Sequence, residues 1–506
     1  MVRVIKKDNT KEAFNIQKVV IAVNKSANRV LYTFTEEELR AICDHVEGYI
    51  RDHGMTEVQI WQMHNIVEAA LESVRPEVAK SYRDYRNYKQ DFVGMLDSVY
   101  KKSQSIMYIG DKENSNTDSA LVSTKRSLIF NQLNKELYQK FFMNTEELQA
   151  CRDGYIYVHD MSARRDTMNC CLFDVQHVLQ GGFEMGNLWY NEPKTLNVAF
   201  DVIGDIVLSA ASQQYGGFTV PSVDLLLEPY AERSYKMLTE KYSRLGLDAE
   251  TVEKEVMADI LNDFEQGFQG WEYKFNTVAS SRGDYPFITM TMGTGTGRFA
   301  KLASITMLNV RRKGQGKKGQ KKPVLFPKIV FLYDENLHGP GKPLEDVFEA
   351  GIECSSKAMY PDWLSLIGEG YVPSMYKKYG AIISPMGCRA FLSPWYERGG
   401  MKPADEEDKP VFIGRWNIGA VSLHLPMIYA KAQQESRPFH EVLDYYLELI
   451  RRLHIRTYAY LGEMRASTNP LAYCEGGFYG GHLKPSDKIK PIMKTATASF
   501  GITALN

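Results

Sequence analysis

The feature that most constrains the fold is an alternation of long helical patterns with short β-rich segments, which continues from about Val93 onward. The clearest helical pattern is TLNVAFDVIGDIVLSAASQQYGG, which begins at Thr195. The β-rich segments are YIYVHD, PFITMTMG, ASITMLNV, PVLFPKIVFLYD, GAIISPMGC and GAVSLHLP. Because no Pro/Gly/Ser-rich linker interrupts this region, we predict one large α/β domain over residues 93–506, with a partly parallel sheet or barrel.

Residues 1–92 form a separate unit in the sequence. The segment VRVIKKDNTKEAF predicts a short hairpin around an Asp-Asn turn. Four helical segments follow. Asn15 is placed to cap the first, and Thr35 with Glu38 forms a capping box at the second. We therefore predict a small, mainly helical domain that ends near Phe92.

Composition excludes several broad classes of protein. Lys and Arg total 61 against 62 Asp and Glu, so the net charge of -1 gives no global attraction to nucleic acid or to an anionic membrane. Seven scattered cysteines without a CxxC pair favour a reducing, cytoplasmic compartment over a disulfide or zinc framework. No signal peptide is recognisable, and no segment approaches the roughly 18 apolar residues of a membrane helix.

The N-terminal unit contains a candidate anion site. Lys6, Lys7 and Lys18 lie on the hairpin and the first helix, where ammonium groups and helix N–H groups can face one phosphate chain. The pattern VIKKDNTKEAFNIQKVVIAV, MHNIVEAAL and AKSYRDYR resembles the ATP-cone, a regulatory nucleotide-binding domain, with Asn9 where that family usually has Gly.

The ATP-cone resemblance implies a set of residues that line ATP or dATP. Asn9 is compatible with that site because asparagine tolerates a left-handed turn. For His64 alone, a partly buried helix histidine without a ligand is an equally good interpretation. The implied set is Val4, Lys6, Lys7, Glu12, Asn15, Lys18 and His64.

Three segments of the large domain contain candidate chemistry. HDMSARRDTMNCCLFD contains Cys170 and Cys171, SPMGCRAFLSPW contains Cys388 after Gly387, and IGRWNIGAVSLHLP places Asn417 before a strand. Taken singly, each cysteine is typical of a buried core thiol. The glycine before Cys388 fits a turn with a close backbone approach.

With SRGDYPFITMTMGTG, CSSKAMYPDWLS and ATASFGITALN, these motifs follow the order found in the anaerobic class III ribonucleoside-triphosphate reductases, which the whole chain resembles. The resemblance implies a ten-stranded α/β barrel behind the ATP-cone. It also implies reduction of ribonucleoside triphosphates to deoxyribonucleoside triphosphates by thiyl and glycyl radical chemistry. ATP or dATP at the cone, and dNTPs at a second site, would regulate the reaction.

The same resemblance assigns roles to individual residues. Cys388 would be the thiyl site that abstracts the ribose 3'-hydrogen, a step for which no acid or base suffices. Cys170 would be the second thiol, with its neighbour Cys171 as the alternative. Asn417 would hold the ribose hydroxyls or the reductant, and its presence with Cys170 resembles the branch that uses formate.

The C-terminal segment TATASFG is Ser/Thr-rich and ends a predicted strand. Thr497 and Ser499 are therefore candidates to bind the substrate phosphates.

The resemblance also implies groups and partners beyond this sequence. After Cys388 there is no CxxC pair and no RVxGY-type glycyl motif, so the glycyl radical and a structural zinc are expected in a missing C-terminal region, through truncation or on a separate polypeptide. The chain alone is then expected to bind nucleotides without turnover. A radical-SAM activating enzyme would be a partner. A homodimer is expected, with a dATP-induced higher oligomer as an option, and the helix from Thr195 to Gln214 is the candidate interface.

Two other functions compete with the reductase. A non-catalytic nucleotide sensor would explain the missing radical motif, but it has no need for Cys170, Cys388 and Asn417 together. An acyltransferase resembling pyruvate formate-lyase would explain adjacent cysteines, but it has no use for an adenine nucleotide switch.

Two further segments are interpreted as structural rather than functional. MGTGTGRF is interpreted as a turn, because no acidic residue follows about twenty positions on. The basic segment from Arg311 to Lys322 is interpreted as a solvated hairpin tip between two strands, with a phosphate or partner contact as the alternative.

Overall fold

The computed structural model describes residues 2–6, 9–30, 32–108, 120–277, 283–387 and 389–504. These residues divide into two compact units, Met1–Lys102 and Ser103–Asn506. Among them, no helix has the length and apolar character needed to cross a membrane.

The first unit packs helices against a small sheet. Its strands lie in the order β2-β1-β3, with β1 antiparallel to β2 and parallel to β3. The predicted hairpin and four helices are confirmed, whereas β3 was missed because three residues are too few to show an alternating pattern. The elements are β1 Arg3–Ile5, β2 Lys11–Ala13, α1 Ile16–Arg29, α2 Glu36–Asp52, β3 Glu57–Gln59, α3 Ile60–Val74 and α4 Pro76–Tyr108, which crosses the division.

Local sequence signals define the ends of these elements. The Asn15 side chain accepts a hydrogen bond from the Gln17 N–H at 2.9 Å and caps α1. Thr35 and Glu38 form the predicted capping box of α2. Asn9 adopts φ +62° in the hairpin turn, which confirms that asparagine serves there in place of glycine.

The second unit contains the remaining strands and helices. Its strands are β4 Ile156–Val158, β5 Cys171–Leu172, β6 Phe183–Met185, β7 Leu188–Tyr190, β8 Phe218–Val220, β9 Ile288–Met292, β10 Lys328–Tyr333, β11 Asp362–Ser365, β12 Asn417–His424 and β13 Thr497–Thr503. Its helices are α5 Val122–Phe141, α6 Thr145–Arg152, α7 Val175–Leu179, α8 Leu196–Ala211, α9 Val223–Ser243, α10 Ala249–Phe275, α11 Arg298–Lys313, α12 Glu345–Ala358, α13 Tyr371–Tyr379, α14 Leu425–Gln434, α15 Phe439–Gly462 and α16 Pro470–Tyr473. Two 3₁₀ turns, Ala466–Thr468 and Lys490–Thr495, complete it.

Two sheets organise the second unit. Five parallel strands lie in the order β11-β10-β9-β8-β5, and three more lie in the order β13-β12-β4. The sheets meet where Cys171 and Trp416 form an antiparallel bridge, beside the Leu172 N–H that donates to the Arg415 carbonyl. The predicted α/β class is confirmed. The described strands form two open sheets that do not close into the ten-stranded barrel implied by the resemblance.

The main core lies between the parallel sheet and the helices that connect its strands. Every residue of β9 is buried, as expected for a strand covered on both faces. Core residues include Phe200 on α8, Trp271 on α10 and Met307 on α11. Helices hold one face of the sheet, and the loop that contains Ser384 and Pro385 lies on the other, where it contacts the Thr291 and Thr219 hydroxyls.

Two sequence interpretations are wrong, and a third holds only in part. ASITMLNV lies within α11, whose buried positions repeat with helical spacing at Phe299, Ala303 and Met307; the short window hid that period. The described part of GAIISPMGC forms no strand, because Pro385 has no N–H to donate to a ladder.

The basic segment is a solvated tip only in its second part, where residues 316–322 are exposed and Gln315 forms an antiparallel bridge with Lys322. Its first part follows a helix and not a strand. It begins in the last turn of α11, where Arg311 is fully buried against Glu272 at 2.7 Å.

Candidate functional site

Asn417 lies at the junction of the two sheets, with its amide held by three hydrogen bonds. Its Nδ2 donates to the Thr497 hydroxyl at 3.1 Å and to the Ser499 hydroxyl at 2.7 Å. Its Oδ1 accepts the Gly419 N–H at 2.6 Å. The parallel register of β12 and β13 places Thr497 directly opposite Asn417. The two candidate phosphate ligands thus contact Asn417 itself, which the sequence could not indicate.

Cys170 lies beside Asn417 through the backbone. The Asn417 N–H donates to the Cys170 carbonyl at 2.8 Å. The Cys170 thiol lies 3.2 Å from the Asn169 Oδ1, and it accepts the Gly217 N–H at the same distance. The thiol therefore has a defined orientation next to the Asn417 strand.

Cys170 and Cys171 belong to different packing clusters. Cys171 is fully buried in the main helix-backed core and lies 3.2 Å from the Gln214 Oε1. Burial raises its pKa. Cys170 packs instead with Ile383 and Met386, which belong to the loop that precedes position 388. Successive residues of an extended segment point to opposite faces, so only Cys170 shares a face with that loop.

The loop before position 388 crosses the face of the parallel sheet. The Thr219 hydroxyl on β8 donates to the Pro385 carbonyl at 3.1 Å. The Gly387 Cα lies so near Gly217 that a Cβ on Gly217 would be 2.5 Å from it. The same Gly217 donates its N–H to Cys170. Gly217 therefore contacts both Gly387 and the Cys170 thiol, which fixes the loop close to Cys170. Cys388 itself lies outside the described residues.

A buried arginine lies next to this arrangement. Arg164 is fully buried, and its Nη1 donates to the Ala420 carbonyl at 3.0 Å. A Cβ on Gly419 would lie 2.9 Å from both the Arg164 Cζ and the Tyr215 hydroxyl. The Nε and Nη2 atoms of Arg164 are sealed from solvent. Burial raises the pKa of Tyr138, and the charge of Arg164 and a hydrogen bond with it oppose that rise. Gly419 is the only sequence signal that could have indicated such close packing, and nothing in the sequence separated Arg164 from its neighbour Arg165.

His454 shares this buried region. Its Nε2 lies 3.2 Å from the Ser499 carbonyl, which can only accept, so Nε2 carries the hydrogen. Burial first, and then the nearby charge of Arg164, lower the pKa of His454 to about 4. The imidazole is therefore neutral at physiological pH, and Arg164 is the cation of this cluster.

The first unit contains a separate, exposed cluster of charge. Glu12 pairs with Lys6 at 2.5 Å and with Lys18. Hydrogen bonds from Lys18 and Lys6 hold the pKa of Glu12 at about 2, below its usual 4.5. The structure thus brings three of the predicted nucleotide ligands together, and Lys7 lies outside the described residues.

The other predicted cone residues have distinct positions. Val4 pairs with Glu12 across the hairpin. Asn15 caps α1 next to Lys18. His64 lies on α3, where its Nδ1 is 2.7 Å from the Tyr82 hydroxyl. The Lys6–Glu12–Lys18 cluster is therefore built from the hairpin and α1, while His64 on α3 contacts Tyr82 of α4.

Comparison with known proteins identifies the families that the two parts of the chain match. Residues 113–506 match the family model described as anaerobic ribonucleoside-triphosphate reductase, and residues 2–91 match the ATP cone domain. The anaerobic ribonucleoside-triphosphate reductase of Haemophilus influenzae is 31% identical over 99% of this chain and 69% of its own length. That of Escherichia coli is 29% identical over 99% and 68%. The chain thus spans about two thirds of these relatives.

A solved structure shows the same fold. The anaerobic ribonucleotide reductase of Thermotoga maritima, determined in complex with dATP and CTP, covers 82% of this chain and 66% of its own, with a TM-score of 0.50 at 12% identity. The extent of the family match, together with the arrangement around Asn417, leads to one conclusion. The chain belongs to the anaerobic ribonucleoside-triphosphate reductases, a family of oxidoreductases that act on nucleotides, and it carries their regulatory ATP cone.

Proposed function

We propose that the chain reduces ribonucleoside triphosphates to deoxyribonucleoside triphosphates in the cytoplasm, with Cys388 as the thiyl site, Cys170 as the second thiol and Asn417 at the ribose. The observation that carries this proposal is the convergence of Cys170, Gly217 and Gly387. A thiyl at position 388 requires a loop held against the substrate, and the packing of Gly387 on Gly217 supplies such a hold.

The Asn417 side chain has one remaining hydrogen-bond acceptor position, which suits a neutral hydroxyl group. Both Nδ2 hydrogens are used by Thr497 and Ser499, and one Oδ1 lone pair by Gly419. The remaining Oδ1 lone pair can accept a hydrogen bond from a ribose hydroxyl. Thr497 and Ser499 then act by orienting Asn417, which is an alternative to their predicted contact with the substrate phosphates.

Formate is the proposed reductant. The overall reaction balances as formate plus ribonucleotide plus one proton giving carbon dioxide, deoxyribonucleotide and water, in which the carbon of formate is oxidised and C2' is reduced. The glycyl radical supplies the oxidising equivalent when present. We place the glycyl radical and the structural zinc in sequence outside these 506 residues. A radical-SAM activating enzyme is proposed to generate the glycyl radical.

The cone is proposed to bind ATP or dATP at the Lys6–Glu12–Lys18 cluster. A triphosphate competes with Glu12 for the two ammonium groups, and such exposed pairs exchange at little cost. Lys7, Val4, Asn15 and His64 are proposed to complete this site. A dNTP site at a homodimer interface, with α8 as the candidate helix, is proposed to select the substrate.

The test uses the radical-loaded reductase that contains this chain. Wild type is expected to form dCTP from CTP and to release one carbon dioxide from [¹³C]formate per product. Cys388→Ser is expected to abolish product while retaining CTP binding by equilibrium dialysis.

The rival functions give different results in the same assay. Nucleotide binding without product from the loaded wild type would support the non-catalytic sensor. Acyl transfer from pyruvate without nucleotide reduction would support the acyltransferase. Either result would overturn the proposal.

A further inference from the structure

The described residues on either side of position 388 contact four neighbouring strands of the parallel sheet. We call residues 384–387 with 389 and 390 the thiol loop. Its contacts, in strand order, are Pro385 with Thr219 on β8, Ser384 with Thr291 on β9, Gly387 with Lys328 on β10 and Arg389 with Asp362 on β11. The loop therefore lies across the sheet and is held from both sides of position 388.

The contacts on the two sides differ in kind. Before position 388 they are hydroxyl and backbone contacts, with the Lys328 Nζ 3.5 Å from the Gly387 carbonyl and Gly217 packed on Gly387. After position 388, the Arg389 guanidinium forms an ion pair with the Asp362 carboxylate. This pair joins the residue that directly follows position 388 to the first residue of β11.

The backbone of Arg389 has a conformation that arginine does not favour. Its φ is +70°, in the left-handed region that residues with a Cβ rarely adopt. The Arg389 N–H donates to the Met386 carbonyl at 2.7 Å, and the Met386 N–H donates to the Ala390 carbonyl at 2.9 Å. Such a backbone persists where its surroundings hold it, so the attachment of the Arg389 side chain helps to maintain this turn.

The ion pair has more influence on position than on overall stability. The Arg389 and Asp362 side chains are 37% and 40% exposed, and pairs of that exposure contribute little to the free energy of unfolding. Hydrogen abstraction needs the reacting atoms within a narrow range of distance and direction, and a displacement of about 1 Å can cost about a hundredfold in rate. Loss of the pair is therefore expected to act on the chemical step.

We propose that Arg389 is a positioning residue, whose ion pair with Asp362 holds the thiol loop in the conformation that hydrogen abstraction by Cys388 requires. The proposal rests on the proposed reductase function, because it assigns Arg389 a role in that reaction. Arg389 acts through the loop backbone, and a direct contact with the substrate triphosphate is the alternative that the experiment separates.

The first test measures dCTP formation by the radical-loaded reductase. Arg389→Gln is expected to lower kcat about a hundredfold and to leave the KM for CTP within about twofold, since ground-state binding does not depend on the sulfur. Asp362→Asn is expected to lower kcat about tenfold, because a neutral amide still accepts a hydrogen bond. Arg398→Gln is the matched control, since Arg398 forms an exposed pair with Asp405, and its kcat should equal that of wild type.

An exchange of the two charges provides the rescue. Arg389→Asp alone is expected to be at least as slow as Arg389→Gln. Arg389→Asp combined with Asp362→Arg rebuilds the pair in reverse, and aspartate tolerates a left-handed backbone. The double variant is expected to recover a kcat within about fivefold of wild type, whereas no recovery over Arg389→Asp alone would overturn the proposal.

Two other results would also overturn it. One is a kcat for Arg389→Gln within twofold of wild type. The other is a raised KM with unchanged kcat, which would make Arg389 a ligand of the substrate instead. If Arg389→Gln does not fold, the same criteria apply to Asp362→Asn, whose side chain keeps the shape of aspartate.

Hydrogen exchange of the full chain without the radical separates this proposal from the proposed function. Asp362→Asn is expected to speed exchange of the Met386 and Arg389 amides at least tenfold, and Arg398→Gln to leave it unchanged. If wild type forms no dCTP but exchange responds in this way, the hold on the loop stands and the proposed function fails. If wild type forms dCTP and neither kcat nor exchange responds, the proposed function stands and the positioning role fails.

Discussion

The molecule contains two clusters of positive charge that are held in opposite ways. The Lys6–Glu12–Lys18 cluster of the cone is exposed and has its own carboxylate. The Arg164 cluster is buried and has no carboxylate among the described residues. Exposed pairs contribute little to stability and are easily exchanged, whereas a buried unpaired cation is costly.

This contrast indicates different uses. An exposed cluster that is already neutralised can report the concentration of an effector, because a triphosphate displaces a weak internal partner. The buried Arg164 instead contacts Ala420 and Gly419 on the strand that carries Asn417. Changes in the buried region are therefore expected to act on turnover and stability, and changes in the cone on regulation.

The largest effect is expected at the two adjacent cysteines, Cys170 and Cys171. Cys170→Ser should lower product formation by the loaded reductase about a thousandfold or more with little loss of stability, because a hydroxyl cannot replace the redox chemistry of a thiol. Cys171→Ser should cost about 1–3 kcal/mol of unfolding free energy, since it buries a hydroxyl in the apolar core, and it should retain turnover. The reverse pattern in turnover would assign the second thiol to Cys171.

The next effect is expected at Gly419. Its φ of +144° and its contact with Arg164 oppose any Cβ, so Gly419→Ala should lower the unfolding free energy by about 3 kcal/mol, from backbone strain and overpacking together. Gly368→Ala is the control, with φ +101° and no atom within 4 Å of the added Cβ. Urea unfolding that shows equal losses for both variants would contradict the close packing on Arg164.

The pH dependence of the buried cluster is expected to follow His454. Its folded pKa of about 4 lies below the usual 6.5, so the unfolded chain takes up the proton first. The stability from the neutral imidazole is complete above pH 6.5 and is lost as the pH falls to 4. Wild type should lose up to about 3 kcal/mol more than His454→Gln across that window.

Urea midpoints at pH 7, 5.5 and 4.5 measure this difference. His440→Gln, at an exposed position, is the control and should titrate like wild type. Parallel pH curves for wild type and His454→Gln would show that His454 is not held neutral by its surroundings.

The smallest effect is expected in the cone. Lys18→Gln should weaken dATP binding about tenfold, since it removes one charge-assisted contact to phosphate, and it should leave turnover without effector unchanged. Lys25→Gln, on an exposed position of the same helix, should bind like wild type. If calorimetry gave the same dATP affinity for Lys18→Gln as for wild type, the nucleotide would not bind at this cluster.

Sequence reasoning succeeded where the signal was local. Asn15 and the Thr35–Glu38 pair predicted helix starts, because caps depend on residues within one turn. It failed in ASITMLNV, where a window of eight residues concealed the helical spacing of α11. The placement of Thr497 against Asn417 was also hidden, since it depends on the register of two strands 80 positions apart.

The sequence by itself determined the α/β class, the order of the motifs and the family. These follow from patterns along the chain, which can be recognised without knowing the distances between residues in the fold. Only the tertiary structure distinguished Cys170 from Cys171, since adjacent residues with the same side chain differ only in the face they occupy. It also decided that Arg164, and not Arg165, is fully buried against Gly419. Burial is a property of packing, which no single segment encodes.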